Sequence, residues 1–453
     1  MIGRSEIDPN NGLRFTGHHS YFERTDIMPK VIHLGFLGCG NIGGGVYHLL
    51  TEMHEEILKR ENIDIRIKSA LVKSIAEARS DVPKDIMTEK ADEVLSDPDI
   101  DIICEFMGGE QPAAAFMQKA LENGKTVVTA NKMALALNWH KLQAAAVEHH
   151  AGLYYEASVG GVIPVIRSLT VSLNADDIDQ VMGIVNGTTN YILTQMSQQG
   201  RSYSDVLAEA QKLGLAEPDP TADVEGFDAA YKLSILSSIA FHTRVTYEKI
   251  HREGITGISP DDIAYGREMG YTLKLLAIGK RSDNFIEVRV HPTFLPSDHP
   301  LARVDGSLNA IYIHGKYCQD MMLQGRGAGD KPTASAICGD ILYAANHLGT
   351  PIVPSFANTA EPDPSMFFTD NWRCRYFVRL DAADTQGVLG SVDGAFSGKS
   401  ISIASLLQRP SKVSGRAQII LITHEANEHA LKEAVSSLNP DLVKVENIIR
   451  VEN

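Results

Sequence analysis

The chain has 453 residues, of which 43% are apolar and 22% charged, and its formal net charge at pH 7 is −15. This length predicts roughly two to four domains with ample core, and the acidic balance argues against nucleic acid or an anionic membrane as a main partner. No run of 18 apolar residues occurs, so we expect no membrane-spanning helix.

Residues 1–28 are polar, show no clear periodicity and lack the apolar segment of a signal peptide. They are interpreted as an N-terminal extension, and we assign them no chemistry. The five cysteines of the chain are scattered without Cys-x-x-Cys spacing, which indicates reduced thiols rather than a disulfide framework or a zinc site. We therefore expect a cytoplasmic protein.

An apolar strand near residues 30–37 leads into a glycine-rich segment and then a helix. Residues 38–43 read Gly-Cys-Gly-Asn-Ile-Gly, which is the Gly-x-Gly-x-x-Gly pattern of a dinucleotide-binding site. The first glycine makes a tight turn, the second lets the pyrophosphate approach, and the third packs the helix against the strand. The residues predicted to contact the cofactor here are Gly38, Gly40, Asn41, Ile42 and Gly43.

The next predicted strand, residues 63–72, should end at the cofactor ribose. NAD-selective sites usually have Asp or Glu at this point, whereas this chain has Lys73, with Arg79 further on. Lys73 can pair with a 2′-phosphate, which favours NADP over NAD. The alternatives are a solvated loop lysine and the use of both cofactors.

Strands and helices continue to alternate through residues 100–129, as expected of a doubly wound sheet. The strand at residues 126–129 ends at Asn131 and Lys132, on the side of the sheet where such folds bind ligands. From the residues alone, Lys132 is also compatible with an exposed helix start.

Two glycine-containing turns follow. Residues 153–164 form a strand that breaks at a turn exposing main-chain carbonyl groups, which are suitable ligands for a monovalent or alkaline-earth cation. A turn that binds no ion would have the same sequence. Residues 186–190, Asn-Gly-Thr-Thr-Asn, lie between a short strand and a helix, and their turn chemistry alone proves little.

Residues 202–240 are predicted to form two helices joined by an acidic elbow. The first helix begins near residues 202–204 and ends at Gly214, and Pro218 and Pro220 keep the elbow extended. The second helix begins near Thr221 or Asp223.

On the second helix, Asp228 and Lys232 are four residues apart and share one face. An isolated pair of this kind is usually exposed, but the helix continues as an apolar run. Four carboxylates are expected to converge near its start. A lysine in such a partly desolvated acidic site can donate or accept a proton. The four carboxylates belong to Glu217, Asp219, Asp223 and Asp228.

Residues 210–232 follow the pattern Ala-x3-Gly-Leu-Ala-x2-Asp-Pro-x2-Asp-Val-x-Gly-x-Asp-x3-Lys, which resembles the signature of homoserine dehydrogenases. The resemblance extends in order from about residue 30 to 450. It implies an NADP-linked interconversion of L-homoserine and L-aspartate 4-semialdehyde. In that reaction Lys232 would donate the proton, Asp228 would orient the lysine, and Lys132 would add positive charge near the oxygen. Leu215 replaces the tyrosine of some family members, so a hydroxyl contact made there is lost.

The resemblance also implies a set of binding residues. Glu217 and Asp223 would hold the substrate ammonium group, and Gly187 and Thr188 would contact the amino-acid end of the substrate. The Asn131 region would lie by the nicotinamide, and Lys132 and Gly327 would belong to the cofactor site. A sodium ion would be held by backbone oxygens of Glu156, Val159, Gly161 and Ile163.

Residues 351–372 are rich in proline and polar residues and are interpreted as a linker. Beyond them the chain reads strand, helix, strand, strand, helix, strand, with Asp384-x-x-Gly387-Val-Leu at the first helix. This resembles an ACT domain, a small amino-acid sensor that usually pairs its sheet with another copy. A purely structural dimerisation module is the alternative.

The expected fold class is α/β with three parts. They are a Rossmann-type doubly wound nucleotide-binding domain (29–157, with the return of 326–350), an α+β substrate-binding and dimerisation domain (158–325), and a ferredoxin-like ACT domain (373–453). We expect a small-molecule substrate, an amino-acid effector (threonine is suspected) and assembly as a homodimer or homotetramer. The alternatives are another Rossmann-type reductase of amino-acid metabolism and an amino-acid-binding regulator with a degenerate dehydrogenase half.

Overall fold

The computed structural model describes residues 28–349 and 361–452. The predicted N-terminal extension, except its last residue, and the first half of the predicted linker therefore lie outside the described residues. No helix in the described ranges is long and apolar enough to cross a membrane.

The first part of the chain forms a parallel sheet with helices between its strands. The strands are β1 (Lys30–Leu37), β2 (Ile63–Leu71), β3 (Met87–Thr88), β4 (Ile102–Glu105), β5 (Thr126–Thr129) and β6 (Leu153–Tyr154). The helices are α1 (Asn41–Glu52), α2 (His54–Glu61), α3 (Ala91–Leu95), α4 (Ala113–Glu122) and α5 (Lys132–Glu148). The strand order β3-β2-β1-β4-β5-β6 is that of a Rossmann-type sheet, which confirms this prediction. Strands β4 and β5 are buried along their whole length, as expected when helices cover both faces.

The second part of the chain forms a mixed sheet with helices. The strands are β7 (Ile178–Ile184), β8 (His251–Arg252), β9 (Tyr271–Ser282), β10 (Phe285–Pro296), β11 (Leu308–Gly315) and β12 (Gln319–Arg326). The helices are α6 (Val165–Arg167), α7 (Gly187–Gln199), α8 (Tyr203–Lys212), α9 (Thr221–Val224), α10 (Phe227–Ala240) and α11 (Pro260–Glu268). Helix α10 packs against β7, β9 and β10, and helix α7 packs against β9 and β11. A long helix, α12 (Asp330–His347), then returns to the first sheet and packs on α1.

The C-terminal strands and helices are β13 (Phe367–Phe368), β14 (Arg373–Ala383), α13 (Val388–Ser397), β15 (Ile403–Pro410), β16 (Arg416–Thr423), β17 (Ala426–Asn427), α14 (Glu428–Ser436) and β18 (Val443–Val451). The four long strands pair antiparallel in the order β18-β14-β16-β15. Strand β18 also pairs in parallel with β10, at Thr293–Arg450 and Phe294–Val451. The C-terminal strands therefore extend the mixed sheet instead of forming a sheet of their own.

The second half of the predicted linker packs against this mixed sheet. Phe367–Phe368 pairs with the start of β10, and Trp372 is only 1% exposed. A composition rich in proline and polar residues did not predict this packing, because a few aromatic side chains are enough to anchor a segment.

Buried ion pairs join the C-terminal strands to the rest of the sheet. Arg289 on β10 is fully buried and pairs with Glu452, directly after β18. Arg450 on β18 lies 2.6 Å from Glu253, which follows β8, and 2.6 Å from Glu428 on α14. Removing one partner of such a pair leaves a buried charge without compensation, which is strongly destabilising. The junction is therefore held by specific buried charges as well as by main-chain pairing.

Candidate active site

The glycine-rich loop joins β1 to α1 beside the crevice between β1 and β4, where the strand order reverses. Gly38 has a φ of +97°, which favours glycine. A Cβ on Gly43 would lie 2.7 Å from the Gly38 carbonyl oxygen, whereas a Cβ on Gly40 would meet nothing within 4 Å. Helix and strand thus pack closely at Gly43, and the space beside Gly40 is open to a phosphate. This geometry fits a dinucleotide.

Arg79 contacts this loop directly. Lys73 is exposed after the end of β2. Arg79 donates a hydrogen bond to the Gly40 carbonyl oxygen at 3.3 Å and pairs with Asp81 at 2.6 Å. Its guanidinium carbon is 2.6 Å from the position of a Cβ on Gly44. The approach of Arg79 to α1 depends on the path of the loop after β2, so its contact with Gly40 could not be predicted from the sequence.

The loops that follow β4 and β5 are tied together by buried polar side chains. The Glu105 carboxylate, at the end of β4, accepts a hydrogen bond from the Thr129 hydroxyl at 2.6 Å, and its burial raises the pKa of Glu105. Asn131 donates to the Gly109 carbonyl oxygen at 2.8 Å and caps α5. Lys132 is consequently the first residue of α5 and lies at the carboxyl edge of the sheet.

The carboxylate of Asp228 lies between two lysines that come from different helices, α5 and α10. Lys232 Nζ is 2.7 Å from Asp228 Oδ2 and also donates to the Val185 carbonyl oxygen at 2.6 Å. Lys132 Nζ is 3.1 Å from Asp228 Oδ1. Asp228 and Lys232 are 6% and 8% exposed, whereas the Lys132 side chain is 41% exposed. The pair on α10 is therefore not an ordinary surface pair.

Burial and neighbouring charges shift the pKa values of the two lysines in opposite directions. Although burial opposes ionisation of Asp228, the charges of Lys232 and Lys132 hold its pKa well below the usual range. Burial lowers the pKa of Lys232, and the Lys132 charge lowers it further, against the Asp228 carboxylate. Asp228 raises the pKa of Lys132. Lys232 is thus the lysine that loses its proton more readily.

Residues 202–240 form three helices rather than the two that we predicted. The first, α8, is capped by Ser202 and ends before Gly214, as predicted. The predicted second helix is wrong in one respect, because Gly226 adopts a φ of +76° and divides it into α9 and α10. The break places Asp223 and Asp228 on separate helices. From Asp228 onwards every residue of α10 except Tyr231 is buried. Almost the whole surface of this helix therefore faces the protein interior.

Only two of the four carboxylates expected to converge near Lys232 do so. Asp223 joins the cluster, and burial raises its pKa. Asp219 instead accepts a hydrogen bond from the Thr221 N–H at 3.1 Å, at the start of α9. Glu217 is exposed, and its carboxylate makes no hydrogen bond or ion pair within the described residues. The Gln211 amide donates to the Glu217 main-chain oxygen at 3.1 Å, which ties the backbone of the elbow to α8.

The loop after β7 lies against the same cluster. Gly187 and Thr188 are the first residues of α7, and the Thr188 hydroxyl donates to the Leu215 carbonyl oxygen at 2.6 Å. Asn186 precedes them, and its amide donates to Asp223 at 2.8 Å and to Asp228 at 2.9 Å. Sequence reasoning missed Asn186. The available signal was an asparagine at a predicted helix start, which indicates a cap and not a contact with residues much later in the chain.

The predicted cation turn offers main-chain oxygens. The Glu156 carboxylate is already used, since it accepts from the Ile166 and Arg167 N–H groups at 2.8 Å each. Of the four main-chain oxygens that the resemblance implies as ligands, that of Ile163 accepts from the Val165 N–H at 2.8 Å and that of Glu156 from the Val159 N–H at 3.4 Å. Such oxygens suit a hard monovalent cation. The described residues contain no group of three or more His, Cys, Asp or Glu side chains that could hold a metal ion.

Gly327 lies against Asn309, a fully buried residue of β11. A Cβ on Gly327 would lie 1.9 Å from the Asn309 side-chain nitrogen. Neither polar atom of this amide has a hydrogen-bond partner among the described residues. Asn309 therefore occupies the space that a side chain at position 327 would need.

With Gly327 in the cofactor site, as the family resemblance implies, Gly327→Ala is expected to weaken NADPH binding about tenfold, because the added methyl group overpacks the contact with Asn309 and displaces the loop. Asn309→Ala in the same chain should restore part of the affinity. Fluorescence titration with NADPH measures both effects. Gly339→Ala on α12 is the matched control, since a Cβ there meets nothing within 4 Å. Equal affinities of the two glycine variants for NADPH would contradict the assignment of Gly327 to the cofactor site.

The parallel sheet, its glycine loop and the facing lysine–carboxylate cluster together define a nicotinamide-dependent oxidoreductase. Comparison with known proteins identifies the family. A family model described as "Homoserine dehydrogenase, NAD binding domain" matches residues 38–156, and one described as "Homoserine dehydrogenase" matches residues 164–342.

Three similar proteins span most of the chain. Homoserine dehydrogenase of Mycobacterium tuberculosis is 41% identical over 438 residues, which are 93% of this chain and 98% of that protein. The structure of a homoserine dehydrogenase from Thiobacillus denitrificans is similar with a TM-score of 0.89 and 38% identity, covering 94% of this chain and 99% of that one. A hyperthermophilic archaeal homoserine dehydrogenase in complex with NADPH has a TM-score of 0.61 and 25% identity, covering 71% and 100%. This chain belongs to the homoserine dehydrogenase family, and it is an NAD(P)-dependent oxidoreductase that acts on a CH–OH group.

Proposed function

We propose that the chain interconverts L-homoserine and L-aspartate 4-semialdehyde with NADP as the preferred cofactor. The observation that carries this proposal is the buried Asp228 carboxylate shared by Lys232 and Lys132, where Lys132 lies at the carboxyl edge of the nucleotide-binding sheet. An alcohol–aldehyde interconversion needs one proton donor beside the reacting oxygen and positive charge to stabilise an alkoxide. The two lysines supply both.

When bound, the nicotinamide supplies or accepts the hydride. In the reducing direction Lys232 gives a proton to the forming alkoxide. Two of its three N–H groups are directed at Asp228 and the Val185 carbonyl oxygen, which leaves one for the substrate oxygen. Lys132 adds positive charge beside it. In the oxidising direction the neutral amine of Lys232 takes the hydroxyl proton.

The substrate ammonium group needs anionic acceptors, and Asp223 and Glu217 are the candidates. Asp223 is supported by its position in the cluster, 2.8 Å from the amide of Asn186. Glu217 is exposed on the elbow, so its role requires the elbow to approach the bound substrate. The N-terminal N–H groups of α7, at Gly187 and Thr188, are suited to the substrate carboxylate.

NADP is supported by two basic side chains near the ribose end of the site, Lys73 and Arg79, and by the absence of an acidic residue directly after β2. NAD remains an alternative cofactor. A sodium ion would be held by the carbonyl groups of the turn at residues 156–163, which would fix the loop between the two sheets.

The C-terminal region is proposed to be an ACT-type sensor of ferredoxin-like fold, with threonine as the suspected effector. The order of its strands and helices and the antiparallel arrangement β18-β14-β16-β15 support this proposal. Since β10 pairs with one edge, a second copy would have to join at β15. This is compatible with the expected homodimer or homotetramer.

Homoserine oxidation should become faster as the pH rises, because it requires neutral Lys232. The midpoint should lie below the ordinary lysine pKa, since burial lowers that of Lys232. Lys132→Met should move the midpoint upward, because the charge that helps lower the Lys232 pKa is removed. The measurement is kcat/KM for L-homoserine against pH, followed by the absorbance of NADPH.

Lys141→Met, an exposed change on the same helix, serves as the control. An unmoved midpoint in Lys132→Met would contradict the coupling of the two lysines. No turnover of L-homoserine with either NADP or NAD would overturn the proposed function. Binding of threonine without turnover would then favour the regulator with a degenerate dehydrogenase half.

A further inference from the structure

Asn186 is a buried residue, 6% exposed, between the end of β7 and the start of α7. Its side-chain oxygen accepts a hydrogen bond from the Thr189 N–H at 2.9 Å. That bond can be accepted only by the oxygen, so the orientation of the amide is fixed and its NH2 group must face the opposite way. There it donates to Asp223 Oδ1 at 2.8 Å and to Asp228 Oδ2 at 2.9 Å.

The two carboxylates come from different helices, α9 and α10, which are separated by the break at Gly226. Two like charges that are buried close together disfavour one another's ionisation. One neutral amide that donates to both reduces this conflict without adding a further charge. It also holds α9 and α10 at a fixed distance from the end of β7.

The same segment holds the lysine. Asp228 Oδ2, which accepts from Asn186, also accepts from Lys232 Nζ at 2.7 Å. The residue before Asn186 provides the carbonyl oxygen that binds Lys232 Nζ at 2.6 Å. The direction of the remaining N–H group of Lys232 therefore depends on a carboxylate plane that Asn186 helps to fix.

We infer that Asn186 is a positioning residue for the proton transfer: its amide aligns Asp228 with Lys232 and keeps Asp223 available for the substrate ammonium group. This inference rests on the proposed roles of Lys232 and Asp223. Helix capping explains only the oxygen of Asn186, and serine caps a helix equally well. The selection of an amide at this position follows from the two carboxylates.

The test compares Asn186→Ser with Asn186→Ala. Serine keeps the cap and loses both donors, whereas alanine loses the cap as well. We expect both variants to lower kcat/KM for L-homoserine about 30-fold, the effect of losing charge-assisted hydrogen bonds. KM should rise through Asp223 and kcat should fall through Lys232. Both variants should lower Tm, because the two carboxylates lose their shared donor, and the alanine variant should lower it by about 2 °C more, because it also loses the cap.

Asn186→Asp keeps an acceptor for the cap but places a third carboxylate in the cluster, so it should lose more activity than either. Ser202→Ala, which removes the cap of α8, is the control for capping alone, and should lower Tm without changing kcat/KM. Wild-type kcat/KM in Asn186→Ser would overturn the inference.

A double-variant cycle with Asp223→Asn separates positioning from a general structural effect. Once Asp223 is neutral, one of the two donated bonds no longer meets a charge, so Asn186→Ser should cost less than it does in the wild-type chain. Strictly multiplicative losses would contradict a shared role. NADPH affinity should stay unchanged in every variant. If the wild-type chain itself does not turn over L-homoserine, the proposed function fails; if it does and Asn186→Ser is normal, only this inference fails.

Discussion

Lys232→Met is expected to lower kcat about 1,000-fold in both directions, within the range that proton transfer by a positioned side chain contributes. Methionine has nearly the length of lysine and fills the same buried site, but it offers no proton. Asp228 keeps Lys132 as a partner at 3.1 Å, so the carboxylate is not left without a cation. The measurements are steady-state turnover and NADPH affinity, and the affinity should be close to that of the wild-type chain.

Lys274→Met provides a matched control for the loss of a buried lysine. Lys274 is 1% exposed in β9 and donates to the Val304 carbonyl oxygen at 2.7 Å, outside the catalytic cluster. This variant should lose stability but keep the kcat of the folded fraction. A Lys232→Met enzyme with substantial activity would move the proton chemistry to Lys132, the other lysine on Asp228.

Asp228→Asn is expected to lower kcat about 100-fold, because a mispositioned catalytic group typically costs this much. The substitution also removes the charge that opposes deprotonation of Lys232. The Lys232 pKa should then fall further, so reduction, which needs the protonated amine, should fail at a lower pH than in the wild-type enzyme. The midpoint for oxidation should move down as well. Kinetic pH profiles in both directions measure these shifts.

The same substitution should affect stability in a pH-dependent way. Asp228 has a folded-state pKa below its unfolded value, so its contribution is complete above the unfolded pKa of about 3.9 and is lost as the pH falls through the folded value. Asp228→Asn should therefore destabilise the chain at neutral pH by about 3 kcal/mol. The difference in unfolding free energy should narrow in acid. Unchanged kinetic midpoints together with a pH-independent stability loss would contradict the ionised state of Asp228.

The features that could be predicted from sequence are those that local chemistry encodes. The glycines at residues 38–43 predicted the nucleotide site, because a tight turn and a close approach of helix to strand each require glycine. Ser202 and Gly214 marked the ends of α8 for similar reasons. The pairing of Asp228 with Lys232 followed from helical spacing.

The features that could not be predicted depend on contacts between distant residues. Asn186 meets Asp223 and Asp228 across 37 and 42 positions of the chain, and a capping asparagine has the same local sequence without such contacts. Gly226 interrupts a helical pattern that continues on both sides of it. Glu217 is exposed on an elbow whose backbone is bound by Gln211 of α8, and composition does not reveal such a contact.

The pairing of β18 with β10 determines how the C-terminal strands can influence catalysis. Because Thr293–Arg450 and Phe294–Val451 are paired and Arg289 is buried against Glu452, these strands cannot swing away on a hinge without breaking the sheet. The C-terminal strands and the strands that support α10 belong to one continuous sheet. Helix α10, which carries Asp228 and Lys232, packs on β9 and β10 of that sheet. Any influence of the C-terminal strands on Asp228 and Lys232 would therefore pass through the sheet beneath α10, and not through the movement of a hinged domain.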